Sequence, residues 1–377
     1  KNEYNNEQQM PKGNKSNKMI EQVIHLLLSV FQKLFSVIHS FFSRSKTIQF
    51  DTGIKATIEK QIAEGGFSYI YSAYDTASPH VKYALKRIIC PDEEILLVCR
   101  KEAKLHRELD HHGNIMKLLG IKYDAGGNNR VFYMLFPLIT GGSLRDEITN
   151  RGLLQDDIPS SRELRGRSKY FTDSQILNIF RGITRGVKAM HDAGYAHLDI
   201  KPENIMLDKN SFRDEEIGHG GTGLTPLLMD FGSARKLVVQ LTDRRTVLNL
   251  TEEASQNSTV SYRAPELFDG GCRHGPDEPD IDGKVDVWSC GCVLYGMMYG
   301  TSPFEMEFRQ DGSIRIVDCT HLRVLSGKIP MPPKHREADY GYGKEMQDLV
   351  EWMLIVDRRK RPNLDSVMDK VENMIFS

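Results

Sequence analysis

HLDIKPEN, residues His197–Asn204, followed after a gap by MDFG at Met229–Gly232, decides how this chain folds and what chemistry it can support. The two stretches supply two carboxylates, a lysine and an amide at spacings suited to moving a phosphoryl group with magnesium. That chemistry asks little covalent work of a protein. It needs an in-line nucleophile and neutralised charge around the migrating group. Asp199 can accept the proton of a hydroxyl substrate, and Lys201 can stand beside the phosphate. Asn204 and Asp230 offer the oxygens that a hard cation such as Mg2+ prefers over nitrogen or sulfur. Taken singly, each residue reads as an ordinary turn or cap residue, and DFG as a turn. The whole sequence of octet, apolar run and DFG is much harder to reach by chance.

The combination resembles the catalytic and magnesium loops of the protein kinases. The resemblance implies an α+β fold in two lobes, a small β-rich N-lobe at about 50–138 and a larger helical C-lobe at about 142–375, within a kinase domain at 50–375. It also implies a glycine-rich phosphate cover. Gln61–Tyr71 reads QIAEGGFSYIY, with Gly65 and Gly66 where backbone can approach phosphates closely. Ala63 and Ser68 stand where the first and third glycines of G-x-G-x-x-G would be, so alone the stretch reads equally as a hairpin turn flanked by Ile62 and Ile70. Lys86 follows Ile70 by 16 positions, in the strand-like KYALKRII of Lys82–Ile89. By the resemblance, Ala84 faces the adenine and Lys86 the phosphates; without its neighbours Lys86 would be a solvent-facing strand lysine. Glu93–Leu109 alternates as a helix. Glu102 there matches the family's ion-pair position opposite Lys86, and Glu108 competes, because one sequence does not fix the rotation of a helix.

Val131–Leu144 reads VFYMLFPLITGGSL and resembles a kinase hinge, with Phe136 as gatekeeper and the backbone of Pro137 and Ile139 meeting the adenine edge. Pro137 lacks an N–H but keeps its carbonyl. Met206 would floor the adenine pocket, a role compatible with an ordinary core methionine. TVSYRAPE at Thr259–Glu266 resembles the substrate-facing loop of Ser/Thr kinases, where Thr259 would bond Asp199 and Lys201. Asp286 resembles a buried brace of the catalytic loop, and Arg361 the ion-pair partner of Glu266; both roles are structural. The implied activity is transfer of the ATP γ-phosphate to Ser/Thr hydroxyls of proteins, with ATP and Mg2+ as the requirements. The wording of EGGFSYIY, SYRAPELF and DVWSCGCVLYGMMYG is similar to the Numb-associated kinase group, and within it to the acylated Ser/Thr kinase 16-like branch. That implies a setting at the cytoplasmic face of the Golgi or another endomembrane and a link to secretory or vesicle traffic. The family's motif order covers about the last five-sixths of the chain.

Leu198 departs from the pattern, since most of the family carries there an arginine that clasps a phosphate on the activation segment. Phosphorylation between Asp230 and Glu266, for example at Thr246, Thr251 or Ser255, is therefore not expected to be required for basal activity. Val238–Leu250, within the 32 residues from Phe231 to Tyr262, is expected to hold a short helix. Leu198 and the altered glycine loop keep a second class open, a pseudokinase scaffold that binds nucleotide or partners without transfer. Retention of Lys86, Asp199, Asn204 and Asp230 favours the enzyme.

The chain has 377 residues and a formal net charge of −1, which argues against a dominant nucleic-acid role. Its six cysteines form no C-x-x-C pair and read as buried, reduced thiols. Arg151–Thr172, Asp208–Thr225 and Gly270–Lys284 read as exposed insertions. Residues 1–18 are polar and carry no core pattern, which predicts disorder. Residues 19–46 differ: Ile20, Ile24, Leu27, Phe31, Leu34, Ile38 and Phe41 recur at three- and four-residue steps. From Lys1 to Lys46 seven basic residues stand against three glutamates, a net charge of +4, which favours an amphipathic helix on an anionic membrane surface. A spanning helix would bury Lys33 at a cost of roughly 2.5–3.5 kcal/mol. A helix docked on the protein's own surface or on a partner is the other alternative. No A-x-A-like site follows the apolar run, which speaks against a signal peptide.

Overall fold

Strands form where side chains alternate between two buried faces, and the hinge strand shows the rule best. In Arg130–Pro137, Phe132, Met134 and Phe136 enter one apolar cluster and Val131, Tyr133 and Leu135 another. The computed structural model describes residues 46–65, 68–126, 130–152, 171–209, 223–239, 244–269, 281–336 and 340–376. The expected tail at 1–18, the helix at 19–46 apart from Lys46, Gly66, and most of the three expected insertions lie outside the described residues.

The N-terminal lobe is built on β1 (Thr47–Gln49), β2 (Lys55–Glu64), β3 (Ser68–Asp75), β4 (Lys82–Cys90), β5 (Gly120–Asp124) and β6 (Arg130–Pro137). They make one antiparallel sheet in the order β1-β2-β3-β4-β6-β5. The sheet starts at Thr47, ahead of the expected domain start at residue 50, because Ile48 and Phe50 help to fill the face that Leu85 and Tyr133 line. The opposite face of β4, with Ala84, Lys86, Ile88 and Cys90, turns toward α1 (Glu93–Glu108). Asp92 caps that helix, its side chain accepting from the Ile95 N–H. Leu96, Cys99, Glu102, Ala103, Leu105 and His106 form its buried stripe.

The C-terminal lobe comprises α2 (Leu144–Asn150), α3 (Asp173–Asp192), α4 (Arg244–Asn257), α5 (Glu266–Asp269), α6 (Lys284–Tyr299), α7 (His321–Ser326), α8 (Lys344–Met353) and α9 (Leu364–Phe376). α6 is apolar nearly all round, so it can only be central; α3 and α8 pack on it, and α9 on α3. Two short antiparallel strand pairs then position the site. β7 (Tyr195–Ala196) pairs with β10 (Arg235–Lys236), and β8 (Ile205–Asp208) with β9 (Thr225–Leu228). They hold the 197–204 loop beside Asp230. The helix expected at Val238–Leu250 lies further along, at Arg244–Asn257. Val239 cannot join it, because its backbone N–H and carbonyl are bonded to Ile281. Leu250 and Ala254, one turn apart, are what seat α4 on the core.

Candidate active site

The loop after β7 is anchored from below. Asp286, fully buried on α6, accepts from the backbone N–H of His197 at 2.8 Å and of Leu198 at 2.9 Å. His191 Nε2 lies 2.9 Å from the same carboxylate. Burial opposes the charge on Asp286, but His191 and the Leu198 N–H outweigh it and hold the carboxyl below its usual range. The anchoring is needed because Leu198 has φ 68°, a left-handed conformation that costs a leucine about 1–3 kcal/mol. The His197 ring faces the Met229 carbonyl through Nε2, while its Nδ1 takes the Asp199 N–H.

That bend turns Asp199 toward a tight polar cluster. Its Oδ2 lies 2.7 Å from Lys201 Nζ, and its Oδ1 accepts from both the N–H and the hydroxyl of Thr259 at 2.9 Å. Lys201 Nζ also donates to the Thr259 hydroxyl at 2.8 Å. Asn204 donates its amide to the Asp199 carbonyl at 2.9 Å and to Oδ2 at 3.2 Å. The Met229 N–H bonds the Asn204 carbonyl, which couples the loop to Asp230.

Across the cleft, Lys86 bridges the lobes. Its Nζ is 2.8 Å from Glu102 Oε1 on α1 and 2.8 Å from Asp230 Oδ1. Glu102 is therefore the ion-pair partner, and Glu108 pairs instead with Lys104 on the helix exterior. Burial alone would lower the Lys86 pKa; the carboxylates of Asp230 and Glu102 overcome it and hold the ammonium charged. Lys86 in turn draws the Asp230 pKa down to about 2 against the effect of burial. Asp230 also has left-handed backbone, φ 65°.

The adenine side is apolar. Ala84 is the register partner of Phe136, and Tyr83 of Pro137. Ala84, Ile139 and Met206 pack at the margin of the cluster that contains Phe136. Gly141 fixes the hinge to β8, since a Cβ there would lie 1.8 Å from the Leu207 carbonyl oxygen. Ile70 is in register with Lys86 and with Ala63, so the expected nucleotide cover lies over the lysine. Ile62 is 46% exposed, and Gly65 N–H closes a turn on the Ser68 carbonyl at 2.8 Å. Gly66 lies outside the described residues.

The donor set fits magnesium. Such an ion takes one or two protein oxygens and completes its octahedron with phosphate and water. Among the described residues no three His, Cys, Asp or Glu side chains cluster as a closed metal cage. Asp230 is held ionised, and the amide nitrogen of Asn204 is committed to Asp199, which leaves its oxygen for a cation.

Sequence reasoning missed His106, one turn beyond Glu102. It is fully buried and stacks on Phe231 with ring centroids 4.1 Å apart, meeting Phe136 edge-on at 5.2 Å. Its Nδ1 faces the Met116 carbonyl at 3.0 Å, and its Nε2 is buried without a partner among the described residues. The signal was available: a histidine on the apolar stripe of α1. Burial pulls its pKa down to about 3, with the charge of Lys86 adding to the effect. Because this lies below the ordinary value of about 6.5 for an unfolded chain, the neutral ring contributes full stability above pH ~6.5. As pH falls toward 3, that contribution is lost at about 1.4 kcal/mol per pH unit. Urea titrations between pH 7.5 and 5 should show this slope in the wild type and its loss in His106→Leu; identical slopes would refute the assignment.

A two-lobed cleft with one lysine bridging two carboxylates and an aspartate beside a second lysine is the site of a phosphoryl transferase. Residues 56–371 match the protein kinase domain family. Serine/threonine-protein kinase 16 of Mus musculus is 34% identical over 313 residues, 83% of this chain and 88% of its own length. The protein of that name in Homo sapiens is 33% identical over the same shares, and Serine/threonine-protein kinase ppk13 of Schizosaccharomyces pombe is 27% identical over 84% of this chain and 90% of its own. The chain belongs to the protein kinase family and is a serine/threonine kinase that uses ATP.

Proposed function

We propose that this kinase is catalytically active as the chain stands, with Asp199 as the base for the substrate hydroxyl, Lys201 beside the transferring phosphate, and Asn204 and Asp230 as the residues that would hold magnesium. The observation that carries the reading is the joint assembly of Lys86–Glu102–Asp230 and Asp199–Lys201–Thr259 in one structure. Magnesium there would neutralise phosphate charge. Glu102 holds Lys86 in place, and Ile62, Ala63, Gly65, Ile70, Ala84, Phe136, Pro137, Ile139 and Met206, with Gly66 by the family resemblance, would enclose the nucleotide. A scaffold that only bound partners would have little reason to hold five charged side chains this close in a partly buried cleft. Transfer of label from radiolabelled ATP to protein Ser/Thr, followed by phosphoamino-acid analysis, tests the reading. Phosphoserine or phosphothreonine is expected; incorporation no higher than that of Asp199→Asn would leave only the scaffold.

The amphipathic stretch at 19–46, with its basic excess, supports a seat on an anionic membrane surface; the likeness to the Ser/Thr kinase 16 type is what points to the cytoplasmic face of the Golgi or another endomembrane and to secretory traffic. No helix among the described residues is long and apolar enough to cross a membrane. Co-sedimentation with phosphatidylserine vesicles should fall to the level of neutral vesicles once 19–43 is deleted. Undiminished binding after deletion would refute the tether.

A further inference from the structure

Where β10, α1 and α4 meet, one carboxylate pairs with an arginine that has two lysines for neighbours. Arg235 on β10 pairs with Glu253 on α4 at 2.8 Å. Lys101 on α1, the neighbour of Glu102, donates to the Ala234 carbonyl at 3.0 Å and lies over the Tyr195 ring. Lys236 follows Arg235 on the strand. Burial, Arg235 and Lys236 all make the charge on Lys101 harder to hold, and Glu253 is the carboxylate that opposes them.

Glu253 lies on α4, which packs against α5. Among its described side chains only Leu250 and Ala254 are buried. Its end leads straight into the site. Ser233, just after the DFG turn, donates its hydroxyl to the Asn257 carbonyl. Arg263 bonds the Ser258 hydroxyl at 2.8 Å, and the next residue is Thr259, bonded to Asp199 and Lys201. Whatever seats α4 therefore seats Thr259 against the base.

We propose that Glu253 is a positioning residue: paired with Arg235 and set beside Lys101, it holds α4, and through Ser258 and Thr259 the loop beside Asp199, in the working arrangement without an added anion. An isolated pair this exposed contributes little. Here the carboxylate also offsets, at Lys101, the charges of Arg235 and Lys236, so its neutralisation leaves a repulsion uncompensated as well as removing an attraction. This rests on the active-kinase reading above.

The test compares phosphatase-treated wild type with Glu253→Gln, Arg235→Gln, the double variant, and the charge exchange Glu253→Arg with Arg235→Glu. Glu253→Gln should lower kcat about three- to five-fold with KM for ATP unchanged, because Lys86 is untouched. The double variant should lose less than the product of the single losses. The exchange keeps the ion pair and the local balance of charge and should recover at least half of the lost rate. Amide exchange over 244–257 should quicken in Glu253→Gln while that of α6 stays constant. Wild-type kcat and exchange in Glu253→Gln, or single losses that simply multiply, would overturn the proposal. Wild type no better than Asp199→Asn would instead sink the active-kinase reading, and exchange over 244–257 would still decide the role of Glu253.

Discussion

Asp199→Asn is expected to slow phosphoryl transfer by about 10²–10⁴-fold, the usual worth of a positioned general base. The substitution keeps size and shape but removes the charge, so it separates chemistry from packing. Oδ1 now accepts two bonds from Thr259, and Oδ2 receives Lys201 and the Asn204 amide. An amide at position 199 keeps one acceptor oxygen and turns a donor nitrogen toward other donors. Lys201 then loses its counter-ion and Asn204 loses a partner, so kcat should fall without a matching loss of nucleotide affinity. ATP affinity, held by Lys86 and the apolar hinge across the cleft, should stay within about twofold, as expected for an interaction made only in the transition state. Rapid-quench transfer kinetics and a fluorescent-nucleotide titration check the two halves. A residual rate above a tenth of wild type would remove Asp199 from the chemistry.

Arg361→Leu is expected to destabilise the fold by about 3–5 kcal/mol, because it strands a buried carboxylate. Arg361 is fully buried and forks onto Glu266 at 2.7 and 3.0 Å. It also donates to the carbonyls of Ile355 and Lys284 at 3.0 and 2.9 Å, and its guanidinium lies 4.9 Å from the centre of the Trp288 ring. Removing the arginine thus orphans an ion and several carbonyls at once. Adding Glu266→Gln should return part of the loss, since the stranded charge goes with it. Urea unfolding with a common m-value reads both effects. A loss under about 1 kcal/mol for the single variant would mean that water reaches the pair.

Most of the site was legible because phosphoryl transfer fixes both residue type and spacing. The octet, DFG and the strand lysine declare themselves by order along the chain. The rotation of α1 was not legible: Glu102 and Glu108 carry the same chemistry, and only the buried stripe of Leu96, Cys99 and His106 turns Glu102 inward. The activation helix was misplaced by a few residues because Val239 is claimed by Ile281, a partner more than forty positions away. His191 gave no sign of its bond to Asp286, since the two are joined only by tertiary packing. Leu198 was read for the charge it lacks, whereas its left-handed backbone is as consequential, for it turns Asp199 to face Thr259.

If Glu253 seats the activation segment as proposed, this kinase needs no added phosphate. The direct measurement is the progress curve of phosphatase-treated protein mixed with Mg2+, radiolabelled ATP and a Ser/Thr-containing substrate protein. Linear transfer to substrate hydroxyls from the first turnover is expected. A lag that shortens with prior autophosphorylation, or no transfer until a phosphate is installed between Asp230 and Glu266, would contradict it.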